Sequence, residues 1–236
     1  MQKHRIYVSA FAMAAQLMLP AAGRTILAQT TKPAYPAMAP LSQYMIASEQ
    51  AEIALARSAA PSSISDNAQI MVLKRDGYQT IVHGKNGFLC LVERSWAQGT
   101  DQAEFWNPKM RAPHCFNAKA AKSFAPIYLM KTRLVLAGTP KSGITREVAA
   151  ALTTGKLPPL EPGAMAYMMS RQQYLNDQDK DWHPHVMFYF SGDQTKNWAP
   201  NTPNPPFLAV NDPQERVTIL MVLADHWSDG TKASTK

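Results

Sequence analysis

Three short apolar segments in the middle of the chain constrain its fold more than any other feature. Residues 69–74, 78–82 and 88–92 are rich in β-branched, aromatic and other apolar side chains, which favour strands. The turns between them contain glycine, which adopts positive φ without a steric penalty. The pattern predicts two successive hairpins, and therefore a three-stranded antiparallel meander.

The rest of the chain adds helices and further strands. The apolar periodicity predicts helices at residues 42–59, 118–123, 126–137 and 142–155, and strands at residues 164–169, 186–190 and 216–223. Residues 95–117 and 197–213 show no clean period and are predicted to be irregular. Because strands and helices do not alternate regularly, we expect an α+β fold with a mostly antiparallel sheet of about six strands, covered on one face by helices.

The first 28 residues have the composition of a secretory signal peptide. A basic start (Lys3, His4, Arg5) precedes a mostly apolar run that ends at Pro20, and small residues before Gln29 offer a cleavage site. The run is too short and too interrupted for a membrane span, which needs about 20 apolar residues. The sequence therefore predicts an exported protein, either periplasmic or secreted.

This leader sets the predicted domain organisation. After the signal peptide (1–28), residues 29–40 are rich in proline, alanine and threonine and are expected to form an extended linker. Residues 41–236 are expected to form a single globular α+β domain. They contain no second apolar run of about 18 residues, so we expect no transmembrane anchor after cleavage.

The charge of the chain argues against nucleic acid as a partner. Removal of residues 1–28 takes away Lys3, Arg5 and Arg24 and no acidic residue, so the net charge falls from +7 to +4. The remaining basic residues are scattered, whereas nucleic-acid-binding proteins cluster them on one face or in one run. The basic residues are therefore interpreted as a solvated surface.

The chain has two cysteines, Cys90 and Cys115. In an oxidising compartment an even pair is most simply a disulfide. A metal-binding or redox pair is the alternative, but the spacing is not that of a C-x-x-C motif. We therefore predict a Cys90–Cys115 disulfide.

Several short segments, spread over residues 55–231, form a recognisable set. They are Met71-Val72-Leu73, Asp76-Gly77, Asn86-Gly87-Phe88-Leu89-Cys90, Cys115, Pro184-His185-Val186-Met187 and Trp227-Ser228-Asp229-Gly230-Thr231. Through them the chain resembles a group of uncharacterised exported bacterial proteins of unassigned function. The resemblance is consistent with export and with paired cysteines, and it implies no catalytic residue and no cofactor.

His183 and His185 are the strongest candidates for chemistry. Residues i and i+2 of a strand share a face about 6.6 Å apart, so two imidazoles there can converge on one metal. A third ligand would come from Asp179, Asp181, His226 or His114. Zinc is one candidate, and copper is another because thioethers lie nearby at Met168, Met169 and Met187. The alternative is a strand edge, marked by Pro184, at which one histidine faces solvent.

The tryptophans are the second candidate site. All five lie in or beside predicted loops among polar residues and prolines: Trp96, Trp106, Trp182, Trp198 and Trp227. Aromatic platforms flanked by polar groups suit a sugar, a peptide or another small ligand. The alternative is that these bulky side chains close the ends of the core.

Two function hypotheses follow from different classes. The favoured one is a non-catalytic exported domain that binds an unknown small ligand or exported partner and requires no cofactor. The alternative is a metal-dependent hydrolase built on the His183/His185 pair, with zinc or copper. No G-x-S-x-G nucleophile elbow and no phosphate-binding glycine loop occurs in the sequence.

Overall fold

A single eight-stranded sheet forms the centre of the described structure. The computed structural model describes residues 34–198 and 207–234, which belong to one compact unit, Pro33–Lys236. The strands are β1 (Gln69–Lys74), β2 (Gly77–Val82), β3 (Leu89–Glu93), β4 (Ala112–Phe116), β5 (Met165–Met168), β6 (His185–Ser191), β7 (Phe207–Asp212) and β8 (Val217–Leu223). Their spatial order is β2-β1-β3-β4-β5-β6-β8-β7, and all neighbours are antiparallel except β1 and β3. The α+β class and the mostly antiparallel sheet are confirmed, with eight strands instead of about six.

Helices cover both faces of the sheet, rather than the one face expected. The α-helices of the described residues are α1 (Glu49–Arg57), α2 (Ser62–Ser65), α3 (Ala118–Ser123), α4 (Ala125–Leu136) and α5 (Lys141–Thr153). Short 3-10 helices lie at Leu41–Gln43, Ser95–Ala97 and Thr195–Trp198. The first helix begins later than predicted, because Ser48 caps it by accepting the Ala51 N–H at 3.1 Å.

Each face of the sheet has its own apolar core. The smaller core packs Ala56 of α1 against Ile70, Cys90 and Cys115. The larger core lies on the other face and contains side chains of α3, α4 and α5, with Leu91 and other residues of the central strands. Alternate residues of β3 and β4 therefore face opposite cores, as expected for strands buried on both sides.

The predicted meander is wrong, although its three strands exist. β1 lies between β2 and β3 and runs parallel to β3, with Gln69 opposite Leu89. After β2 the chain crosses the start of β1, and the Gln69 N–H donates to the Phe88 carbonyl at 2.8 Å. Gly84 makes this crossing possible, because a Cβ at that position would lie 2.2 Å from the Gln69 nitrogen.

Two strands fall in segments that were predicted to be irregular. β4 occupies a central position and is fully buried, although Pro113, opposite Val92, cannot donate to the ladder. β7 is the edge strand beside β8 and follows the proline-rich part of the segment 197–213. In both segments proline and the lack of a period mask the strand, and pairing with a strong neighbouring strand stabilises it.

The predicted disulfide is confirmed. Cys90 and Cys115 occupy directly opposed positions on β3 and β4 and are joined by a disulfide, and both residues are fully buried. The bond closes a loop of 25 residues, which contains the segment between β3 and β4.

The predicted signal peptide (1–28) lies outside the described residues. The expected linker (29–40) lies partly outside them, and its described part, 34–40, forms neither helix nor strand. Among the described residues, none of the helices is both long and apolar enough to cross a membrane.

Candidate functional site

The five tryptophans do not form one surface. Trp96 is fully buried against the Tyr44 ring and donates its indole N–H to Thr132 Oγ1 at 2.9 Å. Trp106 is also buried and packs edge-on against Phe105. These two side chains close the larger core, so they offer no open platform to a ligand.

Two of the remaining tryptophans share an open cavity. Trp182 and Trp227 line it together with His183, and its volume is about 300 Å³. Trp198 is not among its lining residues and packs edge-on against Phe190. The tryptophan hypothesis therefore applies to one pair only, and ligand binding by that pair stays a prediction.

The histidine pair differs from the arrangement that the spacing predicted. β6 begins at His185, so His183 precedes the strand and the shared-face argument does not apply to it. His185 is buried, and its Nδ1 donates to the His183 carbonyl at 2.7 Å. Burial lowers the pKa of His185 to about 4, so the ring is neutral at pH 7.

The proposed third ligand does not complete a metal site. His226 is exposed and lies on an isolated bridge to Lys232. Asp179 and Asp181 line the cavity of Trp182, and His114 lies in another cavity. In residues 34–198 and 207–234, no three or more His, Cys, Asp or Glu side chains are grouped so as to hold a metal.

A larger groove lies between the helices and the start of β8. We call it the outer groove; its volume is about 430 Å³. Its walls come from the junction of α3 and α4, the end of α5, the segment 157–160 and the turn before β8. Its lining side chains include Phe124, Ile127, Leu152, Leu157, Leu160 and Val217.

Arg216 brings a positive charge to the outer groove. It is one of two non-glycine residues with positive φ in the described structure, at 56°. Its guanidinium Nη2 donates to Thr153 Oγ1 at 2.8 Å, and its carbonyl accepts the Gly192 N–H at 2.8 Å. These contacts hold an exposed arginine in a backbone conformation that costs about 1–3 kcal/mol.

The turn that places Arg216 also buries a carboxylate. Asp212 Oδ1 accepts the backbone N–H groups of Gln214 and Glu215, at 2.8 and 3.0 Å, which fixes the turn between β7 and β8. Glu215 then points inward to Lys131, at 2.7 Å, and the two side chains are 9% and 5% exposed. Burial raises the pKa of Glu215, and the Lys131 ammonium opposes that rise.

A second, smaller cavity adjoins the outer groove. We call it the inner cavity; its volume is about 190 Å³, and Phe124 and Glu215 line both spaces. It contains a buried histidine–carboxylate pair, with His114 Nδ1 2.8 Å from Glu93 Oε2. The Tyr189 hydroxyl lies 3.5 Å from His114 Nε2.

Sequence reasoning missed most of these residues. Glu93 offered a signal, since it is a charge that directly follows an apolar strand. The sequence offered His114 only as a possible third metal ligand for the His183/His185 pair, and Arg216 only as the start of a strand. Glu215 lies between that strand and the predicted loop 197–213 and carried no prediction. The outer groove forms where α4, α5 and the start of β8 meet, and the inner cavity forms where α4 meets strands β3, β4, β6 and β8. No local motif encodes either meeting.

Comparison with protein-family models, with curated proteins and with solved structures found no match to this chain. The resemblance to exported bacterial proteins therefore stays a prediction.

Proposed function

We propose that this chain is a small-molecule-binding domain and that the outer groove holds the ligand. The observation that carries the proposal is the groove itself. Its volume of about 430 Å³ falls within the range of roughly 300–1,000 Å³ that is typical of ligand pockets. Its walls are mainly apolar, with a few polar groups, which is the usual composition of such sites.

The lining chemistry favours a ligand with an apolar body and one anionic group. Phe124, Ile127 and Leu152 offer apolar surface, and the Arg216 guanidinium offers a fork of N–H donors that suits a carboxylate or sulfonate. The only acidic side chain of the lining, Glu215, is paired with Lys131 and so repels an anion little. The left-handed conformation of Arg216 supports this role, because strained residues concentrate at functional sites.

The proposal includes an oxidising, exported location. It is supported by the buried Cys90–Cys115 disulfide, since such bonds persist mainly outside the cytosol. The predicted signal peptide (1–28) also supports an exported location. Periplasm and extracellular space remain alternatives within this proposal. The metal-dependent hydrolase stays a prediction that the positions of His183 and His185 do not favour.

The proposal can be tested with anilinonaphthalene sulfonate, a fluorescent dye with an apolar body and one anionic group. The exported, purified protein is titrated beside Leu152→Trp, which fills the groove, and Arg216→Ala, which removes the cation. Leu223→Trp is the matched control, because Leu223 is 41% exposed and does not line the groove. Thermal unfolding of each variant verifies that it is folded.

We expect saturable binding of one dye per chain, weakened at least tenfold by Leu152→Trp and about three- to tenfold by Arg216→Ala. Leu223→Trp should bind like the parent protein. Equal affinity in the parent and in both groove variants would overturn the proposal.

A further inference from the structure

The inner cavity combines acidic and aromatic side chains. Three carboxylates line it, from Glu93, Asp212 and Glu215. Three aromatic rings line it as well: Phe124, Tyr128 and Tyr189. The Phe124 and Tyr189 rings are stacked, with centroids 4.0 Å apart. The cavity thus offers hydrogen-bond acceptors with negative charge beside π-surfaces.

Lys131 pairs with only one of the three carboxylates that line the inner cavity. Lys131 is not among its lining residues, and its ammonium group donates to the carbonyls of Ala97 and Gln98, each at 2.9 Å, and to Glu215 Oε1. An ammonium has three N–H donors, so all of them are used. Lys131 therefore balances one carboxylate, and Glu93 and Asp212 have no lysine or arginine partner among the described residues.

His114 is left incompletely satisfied in the cavity wall. Its Nδ1 is buried and lies 2.8 Å from Glu93 Oε2, yet the ring orientation gives it no hydrogen bond within the described residues. The residue as a whole is 6% exposed. A buried polar atom without a hydrogen bond is costly, and the close contact with Glu93 does not remove that cost in this ring orientation.

The pKa of Tyr189, which lines the same cavity, reflects the negative charge of the nearby carboxylates. Burial raises the pKa of Tyr189 well above its usual value, and the charges of Glu93 and Glu215 raise it further. Asp212 and Glu93 likewise raise the pKa of Glu215, after the larger effect of burial. The carboxylates therefore repel one another, and a bound cation would relieve that repulsion.

From the three carboxylates of the lining, of which only Glu215 has a lysine partner, and from the aromatic rings beside them, we infer that the inner cavity binds a small primary alkylammonium ion. Its N–H groups would donate to the carboxylates of Glu93 and Asp212, since charge-assisted hydrogen bonds of this kind are the strong ones. Its alkyl chain would lie against Phe124 and Tyr189, whose faces also attract a cation. A volume of about 190 Å³ is below that of drug-sized pockets, so the ligand has only a few heavy atoms.

The inference is tested by calorimetric titration of the exported protein with n-butylammonium chloride at pH 7. n-Butanol is the neutral probe of the same shape. Glu93→Gln and Asp212→Asn each remove one charge, and asparagine retains the oxygen that accepts the turn N–H groups of Gln214 and Glu215. Glu161→Gln and Asp193→Asn are matched controls, since both residues are exposed and neither lines the cavity.

We expect n-butylammonium to bind with millimolar affinity and n-butanol to bind at least tenfold more weakly. The affinity of Glu93→Gln and of Asp212→Asn for n-butylammonium should each be at least fivefold lower than that of the parent. The two control variants should bind like the parent. The inference is overturned if n-butanol binds equally well, if neither cavity variant weakens binding, or if Ca²⁺ or K⁺ binds while n-butylammonium does not.

This site does not depend on the outer groove. Leu152→Trp should abolish most dye binding and leave the affinity for n-butylammonium unchanged. If the parent protein binds n-butylammonium and not the dye, the outer-groove proposal has failed. If it binds the dye and not n-butylammonium, the inner-cavity inference has failed.

Discussion

Cys90 and Cys115 face each other across β3 and β4 with their Cα atoms 4.0 Å apart, at the centre of the smaller core. The bond spans the long connection between these two antiparallel neighbours, and the two cysteines are 25 residues apart in the chain. It therefore restricts the unfolded chain and leaves the ladder pairing of the two strands intact.

The first prediction concerns this disulfide. The Cys90→Ala/Cys115→Ala variant should lower the free energy of unfolding by about 3–4 kcal/mol, the chain-entropy value for a loop of about 25 residues. Urea unfolding of the parent and the variant measures it. A difference below about 1 kcal/mol would contradict this account of the bond.

The second prediction concerns the buried ion pair of Glu52 and Arg94. Arg94 Nη2 lies 2.8 Å from Glu52 Oε1, and the side chains of Arg94 and Glu52 are 0% and 2% exposed. The same Glu52 oxygen accepts the Leu73 N–H. Glu52→Gln or Arg94→Met alone should lower the free energy of unfolding by about 3–5 kcal/mol, because each leaves a buried charge unpaired.

The surface pair of Glu49 and Lys74 is the matched control for that measurement. Its atoms are 2.5 Å apart, but its side chains are about a third exposed. Glu49→Gln should lower the free energy of unfolding by no more than about 1 kcal/mol. Equal losses for the buried and the exposed glutamate, measured by urea unfolding, would contradict the account.

The third prediction concerns Gly84. Gly84→Ala places a Cβ 2.2 Å from the Gln69 backbone nitrogen, and backbone cannot move aside cheaply. We expect a loss of about 3 kcal/mol or more. Gly138→Ala is the control, because its φ of 74° is strained for alanine but nothing lies within 4 Å, so about 1–2 kcal/mol is expected. Urea unfolding measures both variants. If Gly84→Ala lowers the free energy of unfolding less than Gly138→Ala does, the chain crossing at Gly84 can accommodate a Cβ and the account is contradicted.

The fourth prediction concerns the pH dependence of stability. Burial, with smaller contributions from the charges of His114 and His183, lowers the pKa of His185 to about 4, against about 6.5 when unfolded. Between these values the unfolded state binds more protons than the folded state, so stability is full above about pH 6.5 and falls as the pH drops toward 4.

The free energy of unfolding of the parent should fall between pH 7 and pH 5. In His185→Gln this fall should be smaller by about 1 kcal/mol or more. His83→Gln is the control, since His83 is exposed. Urea unfolding at the two pH values measures the effect. If His185→Gln and the parent lose the same stability on acidification, the buried histidine is not its source.

The sequence predicted the elements whose signals are local. Apolar runs and turn residues predicted the strands β1, β3 and β8, and apolar periodicity predicted the helices α4 and α5. The oxidising compartment implied by the leader predicted the disulfide. The pairing of β1 with β3 was not predictable in that way, because a Gly-containing turn after β2 reads as a hairpin whether or not the chain crosses its neighbour. The strand β4, which contains Pro113, was not predicted because its own residues do not favour a strand. Pairing with β3 and β5 stabilises it.

The candidate site was less predictable than the fold. The outer groove is formed by side chains from α4, α5 and the turn before β8. The inner cavity is formed by α4 and by strands from β3 to β8, with Glu93 and Ile219 at the two ends of that stretch of chain. Spacing rules detect functional side chains that share one helix or strand, whereas Glu93, His114 and Glu215 come from separate elements. The tryptophans were visible in the sequence, but burial separates Trp96 and Trp106 from Trp182 and Trp227.

The most direct test of the central claim is to locate the bound anilinonaphthalene sulfonate by amide and indole chemical shifts in NMR spectra of the ¹⁵N-labelled protein. The outer groove predicts shifts at Gly155, Arg216 and Val217, with the indole signals of Trp182 and Trp227 unchanged. Shifts confined to those two indoles and their neighbours would contradict the groove and place the ligand in the tryptophan cavity.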